Sequence, residues 1–285
     1  GHRLAGAIEL IVRMEDELGV TIDAGRVMKL ETLGELVLYI ASIPEGREHT
    51  LEDRIFRGEI TTRAHRFFNP LHHLILGLLR IISSLCWKLN TAHPERLSVD
   101  NSIIIANHES YLDIIWMASQ LPAKYRENIY ITGKKKFSFL RYVFPVLPVI
   151  FIEQENSLPA LKASADILRQ GKSLVIFPEG TRSRTGRLGE FKTGAAYLAK
   201  NLGVKIIPVS INGSWEVFPP GSFLPDFFGG KKGSIVIGDP VDPAKHSSVE
   251  QLTCAMRAAV AANLDGEEAT EMAAGKRRVS RRKKI

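Results

Sequence analysis

Apolar positions along the chain fall into two kinds of pattern. Near the start, Leu4, Ile8, Leu10, Ile11, Met14 and Leu18 recur at helical spacing, and Gly19 is placed to stop the helix they predict. A second amphipathic segment runs over residues 32–40, and neither stretch carries a strand signal. Residues 74–87 are strongly apolar, interrupted by Arg80, and fall short of the ~20 residues a bilayer-spanning helix needs. Two readings stand for them: an interfacial helix, with Trp87 and Lys88 at one end and His72 and His73 at the other, or a buried core helix. Continuous, β-branched runs at Ser102 to Ala106 and at Ser173 to Phe177 predict buried strands instead. The apolar stretch 137–152 holds Pro145 and Pro148, so it cannot be one unbroken helix, whereas 44–66 is charged and reads as a linker.

Each predicted strand ends in a short polar block, and strand ends are where α/β folds commonly hold ligands. After the first comes Asn107-His108-Glu109-Ser110-Tyr111-Leu112-Asp113. Ser110 suits a helix N-cap, with Asp113 in the third helical position of a capping box. His108 then precedes the helix. Within one helix, residues five apart point about 140° away from each other; from the preceding turn, His108 can meet Asp113. Asp113 would fix the ring's tautomer while its second nitrogen takes a proton from an attacking hydroxyl. After the second strand, Pro178-Glu179-Gly180-Thr181-Arg182 forms a turn in which Gly180 opens backbone conformations closed to other residues. Arg182 presents a planar fork of donors suited to phosphate or carboxylate, with Arg184, Arg187 and Lys192 deepening the positive field.

On these residues the chain resembles the 1-acylglycerol-3-phosphate acyltransferase family. That family's NHxSxxD and FPEGTRS blocks are followed by FKxGA, here Phe191-Lys192-Thr193-Gly194-Ala195. A further family block, a strand ending in a proline-containing apolar turn, is matched by residues 204–210, and the resemblance covers roughly residues 70 to 262. It implies an α/β fold with a mixed sheet flanked by helices. It also implies that His108 is the general base, that Asp113 orients it, and that the Glu-Gly-Thr-Arg block shapes the acceptor site. Substrate contacts are expected from Asn107, Ser110, Glu179, Gly180, Thr181, Arg182 and Lys192. The donor would be acyl-CoA or acyl carrier protein, as co-substrate, with no cofactor. The stretch 137–152 either lines the acyl-chain path or is a helix end followed by a buried strand. One departure stands out: where the family carries a phosphate-binding arginine, this chain reads Phe151-Ile152-Glu153-Gln154. Gln154 cannot give a charge-assisted bidentate grip, so Arg182 or Lys134, Lys135 and Lys136 compensate, or the acceptor lacks a terminal phosphate.

The N-terminal helical segments look like the latter part of an acyl carrier protein, in residues 4–20 and 32–40. Where a carrier's Asp-Ser-Leu would bear phosphopantetheine, this sequence has His2-Arg3-Leu4, and Arg3 cannot hold that arm. The chain is then a piece of a longer protein or carries a degenerate remnant. No secretory signal is expected in a start this helical and acidic.

Charge refines the picture. The sequence has 38 Lys+Arg against 31 Asp+Glu, a net +7. Lys276, Arg277, Arg278, Arg281, Arg282, Lys283 and Lys284 account for all of it, so the basicity is a tail without core-forming pattern. Attraction to anionic headgroups ranks first for that tail, a solvated end second, and nucleic acid last, for want of interleaved aromatics. Cys86 and Cys254 give neither a metal spacing nor a disulfide framework, and fit a reducing compartment. HxxxxD is not a zinc pattern, and no GxSxG elbow occurs. The expected organisation is a partial carrier-like helical segment at 1–45 and a linker at 46–69. An acyltransferase domain with a membrane-contacting helix follows at 70–264, and a disordered basic tail at 265–285. The expected product is phosphatidic acid, formed at the cytoplasmic face of a membrane by a peripheral or monotopic protein. The alternatives are an acceptor that is not a phosphomonoester, and a catalytically silent lipid-binding module.

Overall fold

The structure is a computed structural model. It describes residues 22–27, 29–30, 32–42, 70–97, 101–121, 128–134, 149–152 and 157–264, with shorter pieces at 11, 14, 55–56 and 59–60. Among the described residues, the helices α1 (Ala24–Val27) and α2 (Leu33–Ala41) come before the long α3 (Pro70–Trp87). Then follow β1 (Asn90–Ala92), β2 (Ser102–Ala106), α4 (Leu112–Gln120), β3 (Ile129–Lys134), β4 (Val149–Ile152), α5 (Ser157–Arg169) and β5 (Ser173–Ile176). The chain continues through α6 (Gly194–Leu202), β6 (Lys205–Asn212), α7 (Ser214–Val217), β7 (Ser234–Ile237) and α8 (Val249–Ala261). The strands form one mixed sheet in the order β1-β7-β6-β2-β5-β3-β4, antiparallel only between β6 and β7.

The central strand shows why this sheet reads as unbroken apolar runs. All five residues of β2 are buried. Because side chains alternate across a strand, Ile103 and Ile105 enter one core layer and Ile104 and Ala106 the other. The first layer is closed by Ala165, Ile167 and Leu168 of α5, Ala195 and Leu198 of α6, and Leu252, Met256 and Val260 of α8. The second is closed by Trp87 of α3 and by Leu112, Trp116 and Met117 of α4. Deleting a fully buried ring such as Trp116 costs about 3–5 kcal/mol, so the layers fix the strand ends above them. Described residues of the early segment join the first layer: Ile11 and Ile22 are buried there with Ile55 and Phe56, and Phe56 meets the Tyr197 ring of α6 at 5.6 Å.

Three local readings need correction. The helix after the first motif starts at Leu112, not directly after Ser110. The serine Oγ instead accepts from Leu112 N at 3.2 Å and donates to Phe218 O at 2.8 Å. Half of the expected capping box survives, since Asp113 Oδ2 accepts from Ser110 N at 2.8 Å. Pro208 lies inside β6 rather than in a turn. A central strand tolerates it because the ladder toward β7 begins only at Val209, with an isolated bridge from Ile206 to Val241 before it. Finally, α3 is neither wholly buried nor wholly interfacial. Leu76, Ser83 and Trp87 face the protein, while Leu74, Leu78, Ile81 and Leu85, spaced four, three and four apart, form an exposed apolar stripe. Among the described residues no helix is long and apolar enough to cross a membrane. Within 137–152, Val149–Ile152 is a strand and residues 137–148 lie outside the described residues, as do the tail at 265–285 and His2-Arg3-Leu4.

Candidate active site

Parallel pairing decides where the two motifs meet. β2 and β5 are neighbours, with Ile105 opposite Ile176, so the loops leaving their carboxyl ends emerge side by side. A backbone bond then joins them, Ser183 N donating to His108 O at 2.7 Å, while Lys192 N closes the second loop on Pro178 O at 2.8 Å. Glu179 completes the junction. Its Oε1 accepts from His108 N at 2.8 Å and its Oε2 from Gly189 N at 2.9 Å, so one buried carboxyl ties three loop positions together. Arg257 of α8 holds the far side through Gly189 O and Leu188 O, at 3.0 and 3.2 Å.

Within this frame His108 Nδ1 lies 2.9 Å from Asp113 Oδ2. A carboxylate only accepts, so Nδ1 carries the proton and donates, which leaves Nε2 as the basic nitrogen. The ring stacks on Phe177, centroids 4.3 Å apart, which fixes its plane. Asp113 is fully buried, and the same Oδ2 also accepts from Glu109 N at 2.7 Å and Ser110 N at 2.8 Å. The acid therefore holds both the imidazole and the turn that carries it.

Beside the pair sits a residue that motif reading passed over. Glu109 is buried, and its Oε1 accepts from Asn107 Nδ2 at 3.0 Å. Burial first, and then the charge of Asp113, push its carboxyl up to about 8, against the Asn107 hydrogen bond. Burial likewise raises Glu179, opposed by its two backbone donors. The one hint of Glu109 in the sequence is an acid beside His108 at the end of a wholly apolar run.

The remaining expected site residues divide by where their polar atoms point. Asn107 has both amide groups engaged: Oδ1 accepts from Ile211 N and Nδ2 donates to Ile211 O, each at 2.8 Å, which pins β2 to β6. With Ser110 and Glu179 it helps to tie the loops together through side-chain bonds within the protein. Gly180, Thr181, Arg182 and Lys192 remain at the surface side of the turn. Gly180 has φ +71°, and a Cβ there would fall 2.7 Å from Lys192 Nζ, so glycine lets the lysine lie across the turn. Arg182 stacks its guanidinium over the Tyr111 ring, 3.6 Å from the centroid, orienting a flat cation next to the His108 loop. Gln154, Lys135, Lys136 and the side chain of Lys134 lie outside the described residues. No group of three or more metal-ligating side chains occurs among the described residues.

Comparison with known proteins agrees with this geometry. Residues 88–212 match the acyltransferase family, and residues 5–40 match the phosphopantetheine attachment site family. A chloroplastic 1-acyl-sn-glycerol-3-phosphate acyltransferase of Arabidopsis thaliana is 32% identical over 157 residues, 53% of this chain and 44% of the relative. The 1-acyl-sn-glycerol-3-phosphate acyltransferase of Helicobacter pylori is 34% identical over 123 residues, 41% of this chain and 50% of the relative. The chain thus spans about half the length of these curated relatives. The crystal structure of the 1-acyl-sn-glycerophosphate acyltransferase PlsC of Thermotoga maritima superposes with a TM-score of 0.53 at 25% identity, covering 66% of this chain and 78% of that one. Residues 88–212 are thus similar to the acyltransferase family, and the segment before them to the phosphopantetheine attachment site family.

Proposed function

We propose that this protein moves a fatty acyl group from a thioester, acyl-CoA or acyl carrier protein, to the free hydroxyl of 1-acylglycerol-3-phosphate at a membrane surface, giving phosphatidic acid. The observation that carries the reading is the 2.9 Å contact of His108 Nδ1 with the buried Asp113, in a loop bolted to the Glu-Gly-Thr-Arg turn. The acceptor O–H gives its proton to His108 Nε2 as its oxygen attacks the thioester carbonyl. The C–S bond then breaks, and the departing thiolate takes the proton back from the imidazolium. The enzyme forms no covalent intermediate, and backbone amides of the motif turns steady the oxyanion. Arg182 and Lys192 supply the cationic surface for the acceptor phosphate. The relatives named above are 1-acylglycerol-3-phosphate acyltransferases, which favours that acceptor.

Two further observations bear on substrate and place. Gln154 stands where the resemblance leads one to expect arginine, favouring as a second reading an acceptor without a terminal phosphate. The exposed stripe of α3 supports docking on a lipid surface, because a helix apolar on two opposite faces has one face the protein leaves in water. Labelled acyl transfer into a panel of lyso-lipids, comparing wild type with Gln154→Arg, tests the acceptor. Transfer to lysophosphatidic acid that Gln154→Arg does not improve supports the phosphate site at Arg182 and Lys192. Transfer confined to acceptors without a terminal phosphate replaces the substrate and keeps the mechanism.

A further inference from the structure

The loop joining α7 to β7, residues 218–233, is absorbed neither by the core nor by the chemistry above. Phe223 and Phe228 are 94% and 97% exposed, and Leu224 between them is also exposed. Three large apolar side chains kept in water within six residues forgo burial that ordinarily draws such groups inward. The loop is nevertheless firmly built. Asp226 N donates to Val217 O at 2.8 Å, and Asp226 Oδ1 accepts from Gly229 N at 2.7 Å and Phe228 N at 3.3 Å. Lys231 closes on Asp226 Oδ2 at 3.2 Å. From below, Trp87 in the last turn of α3 donates Nε1–H to Asp226 O at 2.7 Å and stacks on Phe227, centroids 5.3 Å apart. The base is pinned, and the remaining aromatics are held outward.

Position and charge indicate what they meet. The loop is fastened to the same helix that carries the exposed Leu74, Leu78, Ile81 and Leu85 stripe. At its other end it leaves the site: Phe218 O accepts from Ser110 Oγ, and the Phe218 ring lies 6.4 Å from that of Tyr111, the residue beneath Arg182. Its basic residues are Lys231 and Lys232, Lys88 follows Trp87, and its sole acid, Asp226, is already engaged by Lys231. Protruding aromatics bordered by lysines fit the boundary between acyl chains and anionic headgroups, where rings take the apolar side and ammonium groups the wet one.

We infer that residues 219–230 are a second membrane-insertion element, with Phe223, Leu224 and Phe228 entering an anionic bilayer while Lys88 and Lys232 engage its headgroups. The inference rests on the membrane-surface reading of α3. It adds that the loop seats the mouth of the site, at Ser110 and Tyr111, on the leaflet from which the acceptor comes.

The test is co-sedimentation of the full chain with phosphatidylcholine vesicles, with and without phosphatidylglycerol, for wild type, Phe223→Ser/Phe228→Ser, Lys232→Gln and Leu78→Ser/Leu85→Ser. The double Phe variant should lower partitioning onto phosphatidylglycerol-containing vesicles about tenfold or more, with wild-type melting temperature and sedimentation coefficient in lipid-free buffer. Lys232→Gln should weaken binding about threefold on anionic vesicles and leave binding to phosphatidylcholine unchanged. If the Phe variant binds as wild type does while Leu78→Ser/Leu85→Ser does not, the loop proposal falls and the helix reading stands. Failure of wild type to bind any vesicle sinks both. A Phe variant that dissociates an oligomer yet keeps its lipid binding would make the loop a contact between copies and overturn the inference.

Discussion

The two motif loops and the apolar surface of α3 handle exposed and buried groups in opposite ways. In the loops, Asn107, Ser110, Asp113 and Glu179 turn polar atoms inward onto backbone, while the Arg182 and Lys192 cations stay toward the surface. On α3, and again at Phe223 and Phe228, large apolar groups face water although the same helix has a well-buried side. The first region meets the side-chain polar atoms of Asn107, Ser110 and Glu179 within the protein. The second is what the proposed lipid surface would cover. Chemistry and docking should therefore fail separately when each region is altered.

The largest separation is expected from His108→Ala, which should reduce transfer by roughly 100-fold or more whether the acceptor is offered in detergent micelles or in vesicles. Circular dichroism should show the fold intact, because the imidazole makes one side-chain bond while its backbone carries the loop junction. Asp113→Ala should lose comparable activity and also melt earlier. The backbone donors of Glu109 and Ser110 would lose their buried acceptor, at about 1–3 kcal/mol each if left unpaired. A variant that lost activity with an unchanged melting temperature would break the claim that Asp113 also holds the turn.

Arg182→Ala should act on the acceptor more than on the donor, raising KM for a phosphate-bearing lyso-lipid about tenfold, with Arg182→Lys recovering part of it. Steady-state kinetics against a neutral acceptor checks this, since that KM should barely change. Leu78→Ser/Leu85→Ser should lower activity severalfold on vesicle-borne acceptor and leave micellar transfer unaffected. Equal losses in both formats would erase the contrast between the two regions.

Glu109 gives a diagnostic effect on stability rather than on rate. Its carboxyl is held up to about 8 in the folded chain, against an ordinary value of 4.5, so between those values the folded state binds the extra proton. Stability contributed by this group thus falls as pH rises from about 4.5 to about 8. Replacement by Gln should remove that slope, so Glu109→Gln should lie close to wild type near pH 5 and exceed it near pH 8 by on the order of 4 kcal/mol. Denaturant midpoints across pH measure it, and parallel curves would contradict the buried-acid assignment.

How much of this could be read from the amino acids follows from where each constraint comes from. β2 and β5 were legible because a strand buried on both faces must be apolar throughout. The meeting of His108 with Asp113 was legible because the five-residue spacing works only if the histidine precedes the helix. Tertiary demands hid the rest. Ser110 Oγ accepts from Leu112 N and also bonds the distant Phe218 carbonyl, which local spacing does not encode, and Pro208 lies in a strand where the neighbouring ladder is interrupted. Glu109 took its character from burial beside Asp113, which spacing does not encode. The two faces of α3 are both apolar, so no pattern along it could say which one the protein would keep.

Everything proposed for the chemistry turns on His108, held by Asp113, acting as the base for acyl transfer to a lyso-lipid hydroxyl. The decisive quantity is the rate of labelled acyl transfer to micellar lysophosphatidic acid, from acyl-CoA and from acyl carrier protein, by wild type and His108→Ala at matched folded concentration. Wild type should form phosphatidic acid, and the variant should form it at least about 100-fold more slowly. A variant within about tenfold of wild type would show that another group takes the proton, and His108 would not be the base.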